Sequence, residues 1–120
     1  MNAILAAYLL FTPASCSTAL ACAIEHVESR GNTWAVSHAG ARGLRQVMPG
    51  VAKVPALLLH VPVIGRAEGD RVLSRWLWRC RRKRGARSQL RCALRAYNCG
   101  NKGINGKCGV AYAAAVEVRL

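Results

Sequence analysis

Apolar residues recur at the helical period in several separate segments, and this pattern limits the fold more than any other feature of the chain. Leu20, Ile24 and Val27 form one stripe, which follows a Ser-Thr dipeptide at residues 17–18. Because Ser and Thr cap helix starts and Gly favours helix ends, we expect a helix that begins near this dipeptide and ends at Gly31.

A longer amphipathic helix is predicted over residues 68–82. Its apolar stripe comprises Val72, Leu73, Trp76, Leu77 and Cys80, and its other face carries Arg71, Arg75, Arg79 and Arg82. Gly85 is expected to end this helix, and Ser88 is expected to cap the next one, which runs through QLRCALRAY. The segment VAYAAAVEVRL is predicted to close the chain as a last helix.

The segments between these helices carry no long apolar stripe. Residues 31–43 are rich in Gly and predict a loop or a short irregular hairpin. The following LRQVMP predicts a short helix that ends at Pro49, and VPALLLHVPVI, with two prolines, predicts a turn or a short helix. The sequence therefore predicts a mainly α fold with a small irregular or β region near residues 31–43.

Charge limits the partners that such a fold could bind. The 120 residues contain 18 Lys and Arg against five Asp and Glu, which gives a formal net charge of +13. A strongly cationic surface attracts polyanions, such as nucleic acid, a bacterial envelope or anionic lipid.

The six cysteines do not form a C-x-x-C pair, so a zinc site is not favoured, and neither a metal nor a cofactor is predicted. Cys99 and Cys108 bracket a Gly/Asn/Lys loop that a disulfide would suit, and Cys80 and Cys92 flank a basic loop in a similar way. Disulfides and buried free thiols both remain open, because spacing alone does not determine connectivity.

The amino-terminal segment allows two interpretations. Its apolar run from Ala3 to Phe11 is too short to span a bilayer. It is either the core of a secretory signal that is cleaved after Ala14, or the first core helix. We therefore divide the chain into residues 1–16, the signal or first core helix, and residues 17–120, the main domain.

Two of the five acidic residues, Glu25 and Glu28, lie three residues apart on the first predicted helix. Residues at this spacing share a helix face, so both carboxylates could face one cleft. A carboxyl group against an apolar wall has a raised pKa and can act as a general acid near neutral pH. Two solvated helix charges are the plainer alternative.

The segment AIEHVESRGNTWAVSHAGARGLRQVMP, followed by ALRAYNCG, resembles the lytic transglycosylase family, which has a lysozyme-like fold and is related to goose-type lysozymes. The matching residues occur in the family's order: Glu28-Ser29, Ser37, Gly40-Ala41, Gly43-Leu44, Gln46, Met48-Pro49, Ala96-Tyr97-Asn98 and Gly100. The resemblance covers roughly residues 17–118 and implies a lysozyme-like α+β domain with a helical bundle.

The resemblance also implies roles for particular residues. Glu28 would be the single catalytic acid and base that cleaves the bond between N-acetylmuramic acid and N-acetylglucosamine, leaving a 1,6-anhydro product. The substrate would contact Ser37, Gln46, Met48, Tyr97 and Asn98. Ser29 is expected to serve the helix end, and Glu25 has no family role and is expected to be an ordinary helix charge.

Two positions depart from the family pattern. Arg45 stands where the family commonly has Met, and Cys99 where it commonly has Ala. Arg45 lies beside Gln46 and is expected to alter the charge of the cleft. The cationic helix face and the cluster RRKRG are expected either to hold the enzyme weakly on anionic envelope polymers or to be a solvated surface.

The expected partner is the peptidoglycan glycan strand, acted on by a monomer in the periplasm, outside the cell or on a phage particle or secretion machine. A muramidase-type hydrolase of the same fold is one alternative. A basic nucleic-acid-binding protein is another, supported by RCRRKRGARSQLR but by no nucleic-acid-binding motif, so no specific nucleic acid is expected. A non-enzymatic relic that keeps the fold is a third.

Overall fold

The computed structural model describes residues 3–4 and 16–120, and the protein is mainly helical. The α-helices between residues 16 and 120 are α1 (Ala19–Ser29), α2 (Pro62–Arg79), α3 (Ala86–Cys99), α4 (Asn101–Asn105) and α5 (Val110–Glu117), with a 3-10 helix at Ala56–His60. The chain divides into two compact units, Met1–Gly69 and Asp70–Leu120, and the division falls within α2. Most of the predicted signal or first core helix lies outside the described residues.

Local signals at both ends define α1. The Thr18 side chain accepts a hydrogen bond from Ala21 N at 3.0 Å, which satisfies a backbone donor of the first turn. The helix ends at Arg30, which adopts a left-handed conformation with φ 53° and donates its N–H to the carbonyls of Glu25 and His26. The predicted boundaries are confirmed, with Arg30 in place of Gly31 as the left-handed cap.

A small β-like region follows α1. Val36 pairs with Arg42, and Arg42 pairs with Val47, as two isolated antiparallel bridges. The predicted irregular hairpin at residues 31–43 is therefore confirmed, and it extends to Val47. The short helix predicted at LRQVMP is wrong, because Arg42 and Val47 exchange backbone hydrogen bonds across a turn in which Gln46 has φ 49°.

Gly43 fits this turn against the 3-10 helix. Its φ is +79°, and a Cβ built on it would lie 2.1 Å from the carbonyl oxygen of Leu59. Only glycine allows both this backbone conformation and this close approach. The first unit buries small and apolar side chains, namely Ala21, Ala23, Ile24, Ala41, Leu44, Val47, Leu59 and Val61.

Helix α2 begins earlier than the sequence pattern predicts. It starts at Pro62 and not near residue 68, because proline has a fixed φ suited to the first helical position. The predicted apolar stripe is only partly buried, with Leu73 and Cys80 inside and Val72, Trp76 and Leu77 half-buried. Of the described helices, none is long and apolar enough to cross a membrane.

In the second unit, α4 and α5 pack on α3. Gly85 is the residue before α3, so the prediction that Ser88 caps this helix is wrong, and Ser88 lies within its first turn. Helix α4 lies in the predicted Gly/Asn loop, where Gly103 approaches the backbone of Arg95 too closely for any side chain. The last helix is confirmed at Val110–Glu117.

All six cysteines form disulfides, which join Cys16 to Cys22, Cys80 to Cys92, and Cys99 to Cys108. The two pairs suggested by loop spacing are therefore present. The alternative of buried free thiols is wrong, because the described chain holds no free cysteine.

Candidate active site

Glu28 lies in the last turn of α1 and is half-buried. The next residue, Ser29, holds this helix end: its hydroxyl donates to Glu25 O at 3.1 Å and accepts from Gly31 N at 3.2 Å. The structural role expected for Ser29 is thus confirmed. These bonds fix the end of α1, and therefore the backbone position of Glu28.

Glu25, one turn earlier, has a different environment. It is only 6% exposed, and its carboxylate binds two arginines. Arg45 Nε donates to Oε1 at 3.2 Å, and Arg66 donates through Nε to Oε1 at 2.6 Å and through Nη2 to Oε2 at 3.2 Å. The expectation that Glu25 is an ordinary helix charge is therefore wrong.

The Glu25–Arg45–Arg66 cluster joins three parts of the first unit: α1, the turn at residues 42–47 and the first turns of α2. Buried ions need partners, because leaving one unpaired costs several kcal/mol. Arg45 is 2% exposed, and its Nε donates to Glu25. The expectation that Arg45 alters the charge of the cleft stays a prediction.

The remaining carboxylate of the first unit, Glu68, also has a structural contact. It is 7% exposed, and its Oε1 accepts a hydrogen bond from Lys53 N at 2.6 Å. The contact ties the turn after Met48 to α2. Of the three glutamates in this unit, Glu25 and Glu68 are buried in structural bonds, and Glu28 is the partly solvent-accessible one.

Ser37 and Gln46 organise the turns of the β-like region. Ser37 Oγ accepts from Ala41 N at 2.9 Å, which leaves the hydroxyl hydrogen able to donate elsewhere. Gln46 Nε2 donates to Ala35 O at 3.1 Å and to Gly43 O at 2.9 Å. Both amide hydrogens are therefore engaged in the turn, and the group left to contact a ligand is Oε1, an acceptor.

Met48 is exposed and does not fill the core. It follows the β-bridge residue Val47, and its carbonyl accepts from Val51 N and Ala52 N, which fixes the turn that carries it. Ser37, Gln46 and Met48 thus belong to the same compact unit as Glu28.

Tyr97 and Asn98 lie near the end of α3, in the second unit. Tyr97 is half-buried, and its ring lies nearly parallel to that of Tyr112, with centroids 6.4 Å apart. Asn98 is exposed, and the Cys99–Cys108 disulfide follows it directly. The substrate contacts expected of Tyr97 and Asn98 stay predictions.

The first unit also presents an aromatic residue that sequence reasoning missed. Trp34 is 59% exposed, and its ring stacks on His60 with centroids 5.3 Å apart. His60 is buried, and its Nδ1 lies 2.9 Å from Thr33 O, so this nitrogen carries the hydrogen. Trp34 N donates to Asn32 Oδ1 at 3.0 Å. An exposed Trp held this firmly is a ready surface for the apolar face of a sugar ring.

A surface cavity of about 290 Å³ lies in the second unit, and its lining includes no residue of the predicted site. It is lined by Arg91, Arg95, Val110, Ala113, Ala114 and Glu117. Arg91 Nε donates to Glu117 Oε1 at 2.8 Å, and this bond, followed by the negative charge of Glu117, raises the pKa of Arg91. The pair acts as a surface link between α3 and α5. Across residues 3–4 and 16–120, no group of three His, Cys, Asp or Glu side chains could hold a metal ion.

Comparison with known proteins gives one family. The family model of the transglycosylase SLT domain matches residues 14–117. The matched range contains Glu28 and the five predicted substrate contacts, and it covers residues 14–69 of the first unit and 70–117 of the second. No curated protein and no solved structure matched the chain.

Proposed function

The chain belongs to the family of transglycosylase SLT domains and is a lytic transglycosylase that acts on peptidoglycan, and on that premise we propose a bond, a product and a catalytic residue. The bond is the β-1,4 linkage from N-acetylmuramic acid to N-acetylglucosamine. The product ends in 1,6-anhydromuramic acid. Glu28 is the catalytic residue, first as acid and then as base.

The observation that carries this proposal is the different environment of each of the three glutamates in the first unit. Glu25 and Glu68 are buried and hold the fold together through Arg45, Arg66 and the backbone of Lys53. Glu28 is accessible in part, at the end of the helix that Glu25 ties to Arg45 and Arg66. A carboxyl group must reach both solvent and substrate to exchange a proton with a sugar oxygen.

The reaction needs only one carboxyl group. Protonated Glu28 gives its proton to the glycosidic oxygen, the bond from C1 to that oxygen breaks, and N-acetylglucosamine leaves with a free 4-hydroxyl. The resulting carboxylate takes the proton of the muramic acid 6-hydroxyl while O6 bonds to C1. Glu28 is protonated again at the end, and no water is consumed. Glycosidases that activate water use two carboxylates for these two tasks.

The residues around the turns supply contacts that suit a sugar chain. Ser37 can donate its hydroxyl hydrogen and Gln46 can accept through Oε1, so an N-acetyl or hydroxyl group could bind both. Met48 offers an exposed, adaptable apolar side chain. We assign Tyr97 and Asn98 to the same substrate, with Tyr97 at the muramic acid ring.

Digestion of purified peptidoglycan tests the product. We expect muropeptides one water lighter than the reducing products of a hydrolase, as measured by mass spectrometry. Products that are wholly reducing would identify the protein as a hydrolase of this fold. The measurement needs only the wild-type protein.

A matched pair of variants tests the catalytic role of Glu28. Glu28→Gln should lower the rate by about a thousandfold, a typical contribution of general acid–base catalysis. Glu117→Gln makes the same change in charge in the second unit and should retain activity. If Glu28→Gln still clears cell walls at the wild-type rate, the assignment of Glu28 is wrong.

We further propose that the protein works in the periplasm, outside the cell or on a virion, as a monomer. Three disulfides in 120 residues support an oxidising compartment. Amino-terminal sequencing of the secreted form tests the processing site expected after Ala14. Recovery of the protein only from the reducing cytoplasm, with alkylatable thiols, would contradict this location.

A further inference from the structure

The positive charge of the chain is concentrated in the second unit. Residues 70–120 contain thirteen Lys and Arg against two Asp and Glu, a formal charge of +11, whereas residues 1–69 contain five against three. Six of the thirteen cations lie within ten residues: Arg75, Arg79, Arg81, Arg82, Lys83 and Arg84. All six side chains are exposed. Between Asp70 and Glu117 the sequence has no acidic residue.

An exposed tryptophan lies among these cations. Trp78 is 64% exposed, and it shares a face of α2 with Arg75, three residues before it. The buried side of this part of the chain is formed by Leu73 and Cys80, so Trp78 contributes little to the core. We call Trp78 and the six cations the basic surface.

A disulfide and two side-chain hydrogen bonds hold the basic surface in place. The Cys80–Cys92 disulfide anchors the end of α2 to α3. Gln89 Nε2 donates to Arg81 O at 3.1 Å and to Lys83 O at 3.0 Å, which fixes the loop between the helices. A charged loop that is already ordered loses less conformational entropy when it binds.

Both tryptophans of α2 have a guanidinium group over the ring. Arg81 lies 3.8 Å from the ring centroid of Trp78, and its Nη1 donates to Trp78 O at 2.9 Å. Arg79 lies 5.3 Å from the centroid of Trp76. Each contact covers one face of a ring, and that face is then closed to stacking by a nucleic-acid base.

We propose that the basic surface binds the anionic headgroups of a lipid bilayer, with Trp78 at the level of the headgroups. Clustered Lys and Arg near an anionic leaflet each favour binding, and Trp prefers the interface because its ring is apolar while its N–H is polar. None of its residues is among the proposed catalytic and substrate-binding residues, so lipid binding and glycan cleavage can be measured separately.

Co-sedimentation of the full chain with lipid vesicles tests this proposal. Vesicles of phosphatidylcholine with phosphatidylglycerol should bind the protein, and vesicles of phosphatidylcholine alone should not. Binding should weaken as salt rises, because the Debye length falls from about 10 Å at 0.1 M to about 3 Å at 1 M. Trp78→Ala should weaken binding several-fold at every salt concentration.

A pair of triple variants distinguishes the effect of the basic surface on lipid binding from the effect of net charge. Arg82→Gln with Lys83→Gln and Arg84→Gln should lower partitioning on the order of a hundredfold, from about fivefold per cation. Lys102→Gln with Lys107→Gln and Arg119→Gln removes the same charge at exposed positions elsewhere in the second unit and should lower it far less. Circular dichroism and thermal unfolding check that both variants fold.

Three outcomes would overturn the proposal. Equal losses in the two triple variants would mean that only the total charge matters. If the wild type bound pure phosphatidylcholine as strongly as the anionic mixture, headgroup charge would be excluded as the cause of binding. Complete release by a single-stranded oligonucleotide, together with no effect of Trp78→Ala, would indicate a nucleic-acid partner. Catalytic activity of Glu28 is measured separately, so failure here leaves the proposed reaction unaffected.

Discussion

Arg45 Nε donates a hydrogen bond to Glu25 Oε1 across 3.2 Å, and the two residues are only 2% and 6% exposed. Arg66 approaches the same carboxylate from α2 and binds both of its oxygens. One buried carboxylate therefore connects the helix that carries Glu28 with the turn that carries Gln46.

Glu25→Ala should lower the free energy of unfolding by about 3–5 kcal/mol, because it leaves two guanidinium groups without their carboxylate, one of them buried. Urea unfolding followed by circular dichroism measures this loss. Arg45→Met should cost clearly less, because Glu25 keeps its two bonds to Arg66. Equal stability of wild type and Glu25→Ala would mean that the cluster contributes nothing.

Gly43→Ala should destabilise the protein more than Gly40→Ala does. Both residues have positive φ, but a Cβ at Gly43 meets Leu59 O at 2.1 Å, whereas a Cβ at Gly40 has nothing within 4 Å. Gly40→Ala should therefore show the backbone strain alone, about 1–3 kcal/mol. The additional destabilisation at Gly43, measured by thermal unfolding, reports the contact with the 3-10 helix. Equal destabilisation by the two variants would contradict that contact.

Trp34→Ala should raise KM for glycan strands about tenfold and change kcat little. Removing one exposed aromatic face that covers a sugar forfeits about 1.4 kcal/mol of apolar burial, which corresponds to a factor of ten. Trp78→Ala, the loss of an exposed Trp in the second unit, is the matched control in an assay without lipid. A kcat loss with unchanged KM would argue against a binding role for Trp34.

Replacing Cys80 and Cys92 together by Ala should lower the free energy of unfolding by about 3 kcal/mol, the value expected for closing a loop of this length. Both cysteines are buried, so Ala avoids placing a hydroxyl in the core. Chemical denaturation under non-reducing conditions measures the loss. The same replacement should weaken vesicle binding, since it frees the loop that carries Arg82 and Lys83.

Elements with strong local signals could be predicted from the sequence. Helix α1 has an N-terminal Thr cap, a clean apolar stripe and a Gly just after its end, and the structure places it where these signals indicate. The disulfides Cys80–Cys92 and Cys99–Cys108 were also suggested by the sequence, because each pair of cysteines flanks a short polar loop.

Features that depend on distant partners could not be predicted. The segment around Gln46 has a helix-like composition, but Arg42 and Val47 pair across it and force a left-handed residue. Glu25 and Arg66 are 41 positions apart, and no local pattern reveals their bond. The candidate site residues came from the family resemblance. The stacking of the exposed Trp34 on His60, 26 positions later in the chain, has no local signal in the sequence.

The Glu25 cluster also limits the order in which its members could change during sequence drift. A change from Arg45 to Met leaves Glu25 bound to Arg66. Loss of Glu25 first would take from the buried guanidinium of Arg45 the carboxylate to which its Nε donates. Lineages that abandon this cluster should therefore lose the arginine at position 45 before the glutamate at position 25, and those that acquire it should gain them in the reverse order.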